Sequence, residues 1–214
     1  MPKHFPLADP IDWGLVPLAD EPTCVLTGDI NLQDRQEPAR AFRHVVSTLR
    51  QADVLFANLE GCLYRPGGED IPDKVSWRHS DESMVAGLLA IGVNGVGCAN
   101  NVTFGEEAIL HSLSVLKRSG IPQCGAGNNI MTANEPLVLE RSGFQIGFLQ
   151  RTALLHGLDQ PATEGRAGVA YFNPEENSEL EKIYDAVSAL KTQVDVVVFS
   201  HHLRNTGTKV TEPY

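Results

Sequence analysis

With 214 residues, 42% of them apolar and 21% charged, the chain has the size and composition of a single globular domain with a real core. A net charge of −10 argues against a nucleic-acid partner held by bulk electrostatics. It leaves an anionic substrate open, because a bound metal ion can supply local positive charge.

The first 22 residues carry Pro2, Pro6, Pro10 and Pro17 and read as an extended arm laid over the surface, with residues 23–214 as the domain proper. The arm lacks the basic-then-apolar order of a signal peptide, and no run is long enough to span a membrane, so a cytoplasmic location is expected. A first strand is expected over 23–28, ending in Gly28-Asp29-Ile30-Asn31. Ala41, Val45, Val46 and Leu49 at helical spacing predict a helix over 34–51. A second buried strand over 53–57 ends in Asn58-Leu59-Glu60-Gly61. Residues 65–79 read as a loop, and 81–91 as a helix capped by Ser80 or Asp81. A glycine-rich third strand over 93–99 ends in Asn100-Asn101. A helix over 106–119 shows Ile109, Leu110, Leu113 and Leu116 on one face, with Gly120 as its stop. The runs 137–139 and 145–149 flank Ser142-Gly143 as a hairpin. Residues 156–179 read as irregular, 180–190 as a helix, and 194–199 as a last buried strand ending in Ser200-His201-His202. This order indicates an α/β fold, a layered mixed β-sheet flanked by helices. Two-sided apolar strands such as Val54-Leu55-Phe56 require cover on both faces. Cys24, Cys62, Cys98 and Cys124 show no Cys-x-x-Cys spacing and read as reduced and mostly buried.

Four strands therefore end in metal-capable side chains: Asp29 with Asn31, Asn58 with Glu60, Asn100 with Asn101, and His201 with His202. Each pair alone reads as a turn, a cap or a solvated charge. Together they would meet at the carboxyl edge of the sheet, where open α/β folds place their ligands. Carboxylate, amide and imidazole groups around a divalent ion are the parts needed to hold phosphate oxygens and activate a water. A dinucleotide site is set aside, because Gly125-Ala126-Gly127 lacks a third glycine and does not follow the first strand. His44 and His111 read as solvent-facing, and Trp13 and Trp77 as packing anchors of the arm and the long loop.

Thr27-Gly28-Asp29, the run from Ala52 to Gly61, Ala99-Asn100-Asn101, Gly125-Ala126-Gly127-Asn128 and Ser200-His201-His202 occur in an order that resembles the bacterial capsule-synthesis, poly-γ-glutamate (CapA/PgsA-type) family. That family resembles calcineurin-like metallophosphoesterases in fold. The resemblance implies Asp29, Asn31, Glu60, Asn101 and His202 as metal ligands. Asn58, Asn100, His201 and Arg204 are read as substrate-side candidates, with Arg204, just past His202, as a partner for an anionic group. It implies one or two divalent ions (Mn, Fe or Zn), a small-molecule or polyanionic substrate bearing phosphate, and capsule or polyglutamate synthesis proteins as partners. Two departures stand against a working hydrolase. The family commonly has His-Thr-Leu-Asp after the paired asparagines, whereas this chain has Val102-Thr103-Phe104-Gly105. Loss of a general acid removes a factor of about 10² to 10⁴ in rate. The chain also ends at Tyr214, before the family's Gly-His-x-Pro-His motif, so the metallophosphoesterase-like fold is expected to be incomplete at its C-terminus. No catalytic residue is assigned. The alternative is a non-catalytic assembly or binding member that keeps the fold.

Overall fold

The computed structural model describes residues 22–65, 78–157 and 160–203. Strands β1 (Cys24–Ile30), β2 (Val54–Leu59), β3 (Gly95–Gly97) and β4 (Gln123–Cys124) form a parallel sheet in the order β1-β2-β3-β4. A two-stranded antiparallel piece pairs β5 (Ala126–Gly127) with β8 (Gly168–Val169). The third sheet has the order β6-β7-β9: β6 (Leu137–Arg141) and β7 (Phe144–Thr152) make a hairpin, and β9 (Val196–His202) joins β7 in parallel. The helices are α1 (Val46–Leu49), α2 (Val85–Ile91), α3 (Glu106–Arg118), α4 (Ile130–Asn134) and α5 (Asn177–Lys191).

The apolar run of β2 is buried on both faces, and this sets the layering. Leu55, Ala57 and Leu59 pack with Leu88 and Ile91 of α2 and Ile109 and Leu116 of α3. Val54 and Phe56 point the other way and pack with Cys124, Leu137, Ile146 and Phe148. The Phe56 and Phe148 rings stack with centroids 4.3 Å apart and planes 11° apart. Helices α1 to α3 thus cover one sheet, the two larger sheets lie face to face, and α5 covers the far side of the second. Gly147 makes that last contact close, since a Cβ there would lie 2.7 Å from the Leu190 side chain.

Several expected elements move. In place of a helix over 34–51 there is a 3-10 turn, Pro38–Phe42, followed by the four-residue α1. Phe42 is the residue that goes inside, while Ala41 and Val45 face solvent. The apolar spacing was real, but it did not mark the anchoring side chain. β1 runs on to Ile30 and β9 to His202, so Asp29 and His202 lie within strands and not beyond them. β3 is shorter than expected, and past it the Ala99 N–H goes to the Gln150 side chain in place of a neighbouring strand. The stretch 156–179 holds β8 and the start of α5. Cys24 is exposed, because β1 is an edge strand; the other three cysteines are buried. The arm up to residue 21, with Trp13, and Trp77 and Arg204 fall outside the described residues. Among the described residues no helix is long and apolar enough to cross a membrane.

Candidate functional site

Asp29 reaches the site through a break in strand register. β1 pairs with β2 in step from Cys24 to Thr27, then slips so that Asp29 faces Asn58, with Gly28 as the extra residue. A bulge of this kind re-aims the side chain that follows it. Asp29 Oδ1 accepts a hydrogen bond of 2.6 Å from Asn58 Nδ2, and the Asp29 side chain stays about half exposed (49%).

His202 arrives from the other sheet. Along a strand successive side chains alternate faces; Phe199 and His201 share the face turned from the site, with their rings 6.0 Å apart. His202 turns inward. Its Nε2 lies 2.9 Å from Asn101 Oδ1, and its Nδ1 lies 4.0 Å from Asp29 Oδ1. An amide oxygen only accepts, so Nε2 carries the proton in this bond. Nδ1 is then the ring nitrogen on the Asp29 side. Two ligands each about 2.0–2.2 Å from one ion sit roughly 3–4 Å apart. At 4.0 Å the Asp29–His202 separation lies at the wide end of that range, and Asn101 holds the imidazole with Nδ1 turned toward Asp29.

Glu60 follows the end of β2. Burial raises its carboxyl pKa first, and the charge of Asp29 raises it further against a lowering by Arg78. The two carboxylates concentrate negative charge at this end of β1 and β2. Among the described residues no three His, Cys, Asp or Glu side chains converge closely enough to enclose an ion by themselves.

The remaining sequence candidates separate into support and surface. Asn31, read as a ligand, is a fastener: its amide donates to the carbonyls of Glu60 (2.9 Å) and Arg78 (2.8 Å) and accepts from Gln33 N–H. Asn100, read as a substrate contact, is fully buried. It donates to Leu59 O and Asn58 Oδ1 and accepts from Val102 N–H and Thr103 Oγ1. Asn58 is buried too, and it connects this network to Asp29. Their atoms hold the site together and present nothing to a ligand in this conformation. His201 is exposed on the opposite face of β9 from His202. Val102 is a buried apolar residue.

Two residues at the centre of this network escaped the sequence reading. Gln150 accepts from Ala99 N–H (2.7 Å) and donates to Asn58 Oδ1 (3.0 Å). Gln160 donates to the carbonyls of Asn100 (2.8 Å) and Thr103 (2.7 Å). The signal for Gln150 was available: Gln150-Arg151-Thr152 ends the apolar run of β7, a fifth strand end of the kind already noted. His79 is also structural. Its Nδ1 accepts from Cys62 N–H (2.9 Å) and its Nε2 bonds Phe104 O (3.0 Å). Burial pushes its pKa down to about 4, so it is neutral at physiological pH.

The sequence profile of a family described as bacterial capsule synthesis protein PGA_cap matches residues 23–213. The chain belongs to this family. The match takes in β1 through β9, so every site residue above lies within the family domain. One solved structure, described as a novel phosphatase from Mycoplasma pneumoniae, resembles the chain with a TM-score of 0.48 at 15% sequence identity. The match covers 85% of this chain and 55% of that one, so the chain spans about half the length of that protein. No curated protein matches the chain significantly.

Proposed function

We propose that this family member is a metal-dependent hydrolase acting on a phosphate-bearing or polyanionic substrate during capsule or poly-γ-glutamate production, in concert with other synthesis proteins. The observation that carries this reading is the Asp29–His202 pair, 4.0 Å apart at the carboxyl ends of strands from two sheets, with Asn58 and Asn101 orienting one member each. Asp29 and His202 would hold a divalent ion (Mn, Fe or Zn), with Glu60 as the neighbouring carboxylate. Such an ion polarises a phosphoryl oxygen and lowers the pKa of a bound water. Asn58 keeps Asp29 aimed, and Asn101 keeps the Nδ1 lone pair of His202 available.

A second reading, a binding or assembly member without turnover, is favoured by Val102. It occupies the position where the family resemblance places a proton-donating histidine, and it is buried and apolar. One experiment separates the two. The purified chain is loaded with Mn²⁺ or Zn²⁺, freed of excess ion, and assayed for metal by mass spectrometry and for turnover of an aryl phosphodiester. Near-stoichiometric metal and turnover, both lost in Asp29→Ala and His202→Ala, support the hydrolase. Metal without turnover supports the binding member. A folded chain that retains no metal overturns the hydrolase and leaves the non-catalytic member.

A further inference from the structure

Hydrolysis of a phosphate ester needs a proton for the leaving oxygen, and a positioned side chain that supplies it contributes about 10² to 10⁴ in rate. The residues gathered so far leave that part open. Val102 is apolar, and the amides of Asn58, Asn100 and Asn101 do not titrate. His202 and Glu60 are assigned to the ion. Among the other described histidines, His201 shares the face of Phe199, turned from the site, and His79 has both ring nitrogens bonded. His44 is bonded to Arg43 and His111 to Glu82. His156 is the one left, and its ring is exposed.

His156 is tied to the site from both sheets. On the second, Thr152 at the end of β7 pairs in register with His202, and Ala153 N–H donates to His202 O (3.1 Å). Thr152 Oγ1 turns the chain there, donating to Leu154 O (2.8 Å) and accepting from Leu154 N–H (3.1 Å). On the first, His156 N–H donates to Gln160 Oε1, and the Gln160 amide holds the carbonyls of Asn100 and Thr103. The His156 ring stacks on Phe104 with centroids 4.1 Å apart and planes 12° apart. Ala153 lies three residues from His156, and Phe104 three from Asn101, so each tie spans at most about 11 Å. Asn101 and His202 are themselves bonded. The imidazole is thus held at the same rim, clear of the Asp29–His202 pair.

We propose that His156 is the proton donor to the leaving group. This rests on the hydrolase reading of the site. A water oxygen bonds to phosphorus as the bond to the leaving oxygen breaks. The leaving oxygen takes that electron pair and the proton of the His156 imidazolium. The attacking water gives up its proton to solvent, and solvent reprotonates the ring.

The test compares the metal-loaded chain with His156→Gln on a phenyl phosphodiester and its para-nitrophenyl counterpart, whose acidic phenol depends less on a donated proton. Metal content should stay as in the parent. The variant should lose at least about tenfold more turnover on the phenyl ester than on the nitrophenyl ester, in kcat and with little change in KM. A second readout needs no turnover: in zinc-loaded protein with isotope-labelled histidine, inorganic phosphate should shift the His156 ring-nitrogen resonances, identified by their absence from the variant. Equal losses on the two esters, or no loss, in an active parent overturn the role of His156 and leave the hydrolase standing. Ring resonances that phosphate does not move overturn it as well. A parent inert towards both esters overturns the hydrolase, and the proton donor with it.

Discussion

Gln150 is 1% exposed, and its carboxamide sits in a slot between Gly97 and Gly125. A Cβ at Gly97 would overlap the carboxamide, and one at Gly125 would lie 2.8 Å from Ala99 N and 3.0 Å from Gln150 Oε1. Gln150→Ala strands the buried Ala99 N–H, at about 1–3 kcal/mol, and removes the bond to Asn58, at about 1 kcal/mol. With the void left behind, the expected loss is about 3–5 kcal/mol. Gly97→Ala alone forces the carboxamide out of its slot, and overpacking of this kind costs about 1–3 kcal/mol. In the double variant the added methyl enters space that the carboxamide has vacated, so the overlap disappears. The double variant should therefore be no less stable than Gln150→Ala, a departure from additivity of about 1–3 kcal/mol. Urea unfolding measures this. With an m-value of about 2–3 kcal/mol/M, Gln150→Ala moves the midpoint down by about 1–2 M. Additivity within about 0.5 kcal/mol would refute the claim that these two residues contend for one space.

His79 should make stability fall with acid. Its folded pKa of about 4 lies below the unfolded value of about 6.5, so its contribution is complete above pH 6.5 and is lost as pH falls towards 4. From pH 7.5 to pH 5 the loss is about 2 kcal/mol, read as a urea midpoint that drops more for the parent than for His79→Gln; equal drops would contradict the assignment. Native thiol titration should find one reactive cysteine of the four, Cys24, with the rest released only by denaturant, since Cys62, Cys98 and Cys124 are buried and burial pushes Cys124 up to about 12. Fast reaction of a second thiol in native protein would count against this packing. Asn58→Leu removes the 2.6 Å donor to Asp29; zinc affinity in equilibrium dialysis should weaken about 10- to 100-fold, and an unchanged value would show that Asn58 does not orient the ligand.

The strands were legible because their signal is strong and local. Val54 to Phe56 is apolar on both faces, and a strand with two covered faces needs that pattern. Asp29 and His202 were legible because each closes an apolar run at the sheet's carboxyl edge. The helix over 34–51 was not, because Ala41, Val45, Val46 and Leu49 fit a helical stripe equally well whether or not tertiary contacts choose Phe42 as the anchor. The roles of Asn31, Asn58 and Asn100 were not legible either. An asparagine amide serves a metal, a substrate or a neighbouring carbonyl with the same atoms. Only the partners, Glu60 O and Arg78 O for Asn31 and Leu59 O for Asn100, decide between them.

The site draws on two sheets that are not hydrogen-bonded to each other at the strands that matter. Asp29, Asn58 and Asn101 come from the first sheet or its edge, and His202 from the second. Backbone ladders therefore fix Asp29 against Asn58, whereas the separation of Asp29 from His202 is set by how far apart the sheets pack. Contacts that bridge the sheets near the site include the Phe56–Phe148 stack, the Gln150–Asn58 hydrogen bond, the Gln150–Ala99 hydrogen bond and the His202–Asn101 bond. The Gln150–Asn58 bond also holds the residue that aims Asp29. A single buried glutamine thus couples the orientation of one proposed ligand to its distance from the other. This accounts for a fully engaged polar side chain beside a core of Val54, Phe56, Cys124, Leu137, Ile146 and Phe148. An apolar residue there would pack as well, but it would leave the Ala99 N–H stranded and Asn58 without its tie to the second sheet.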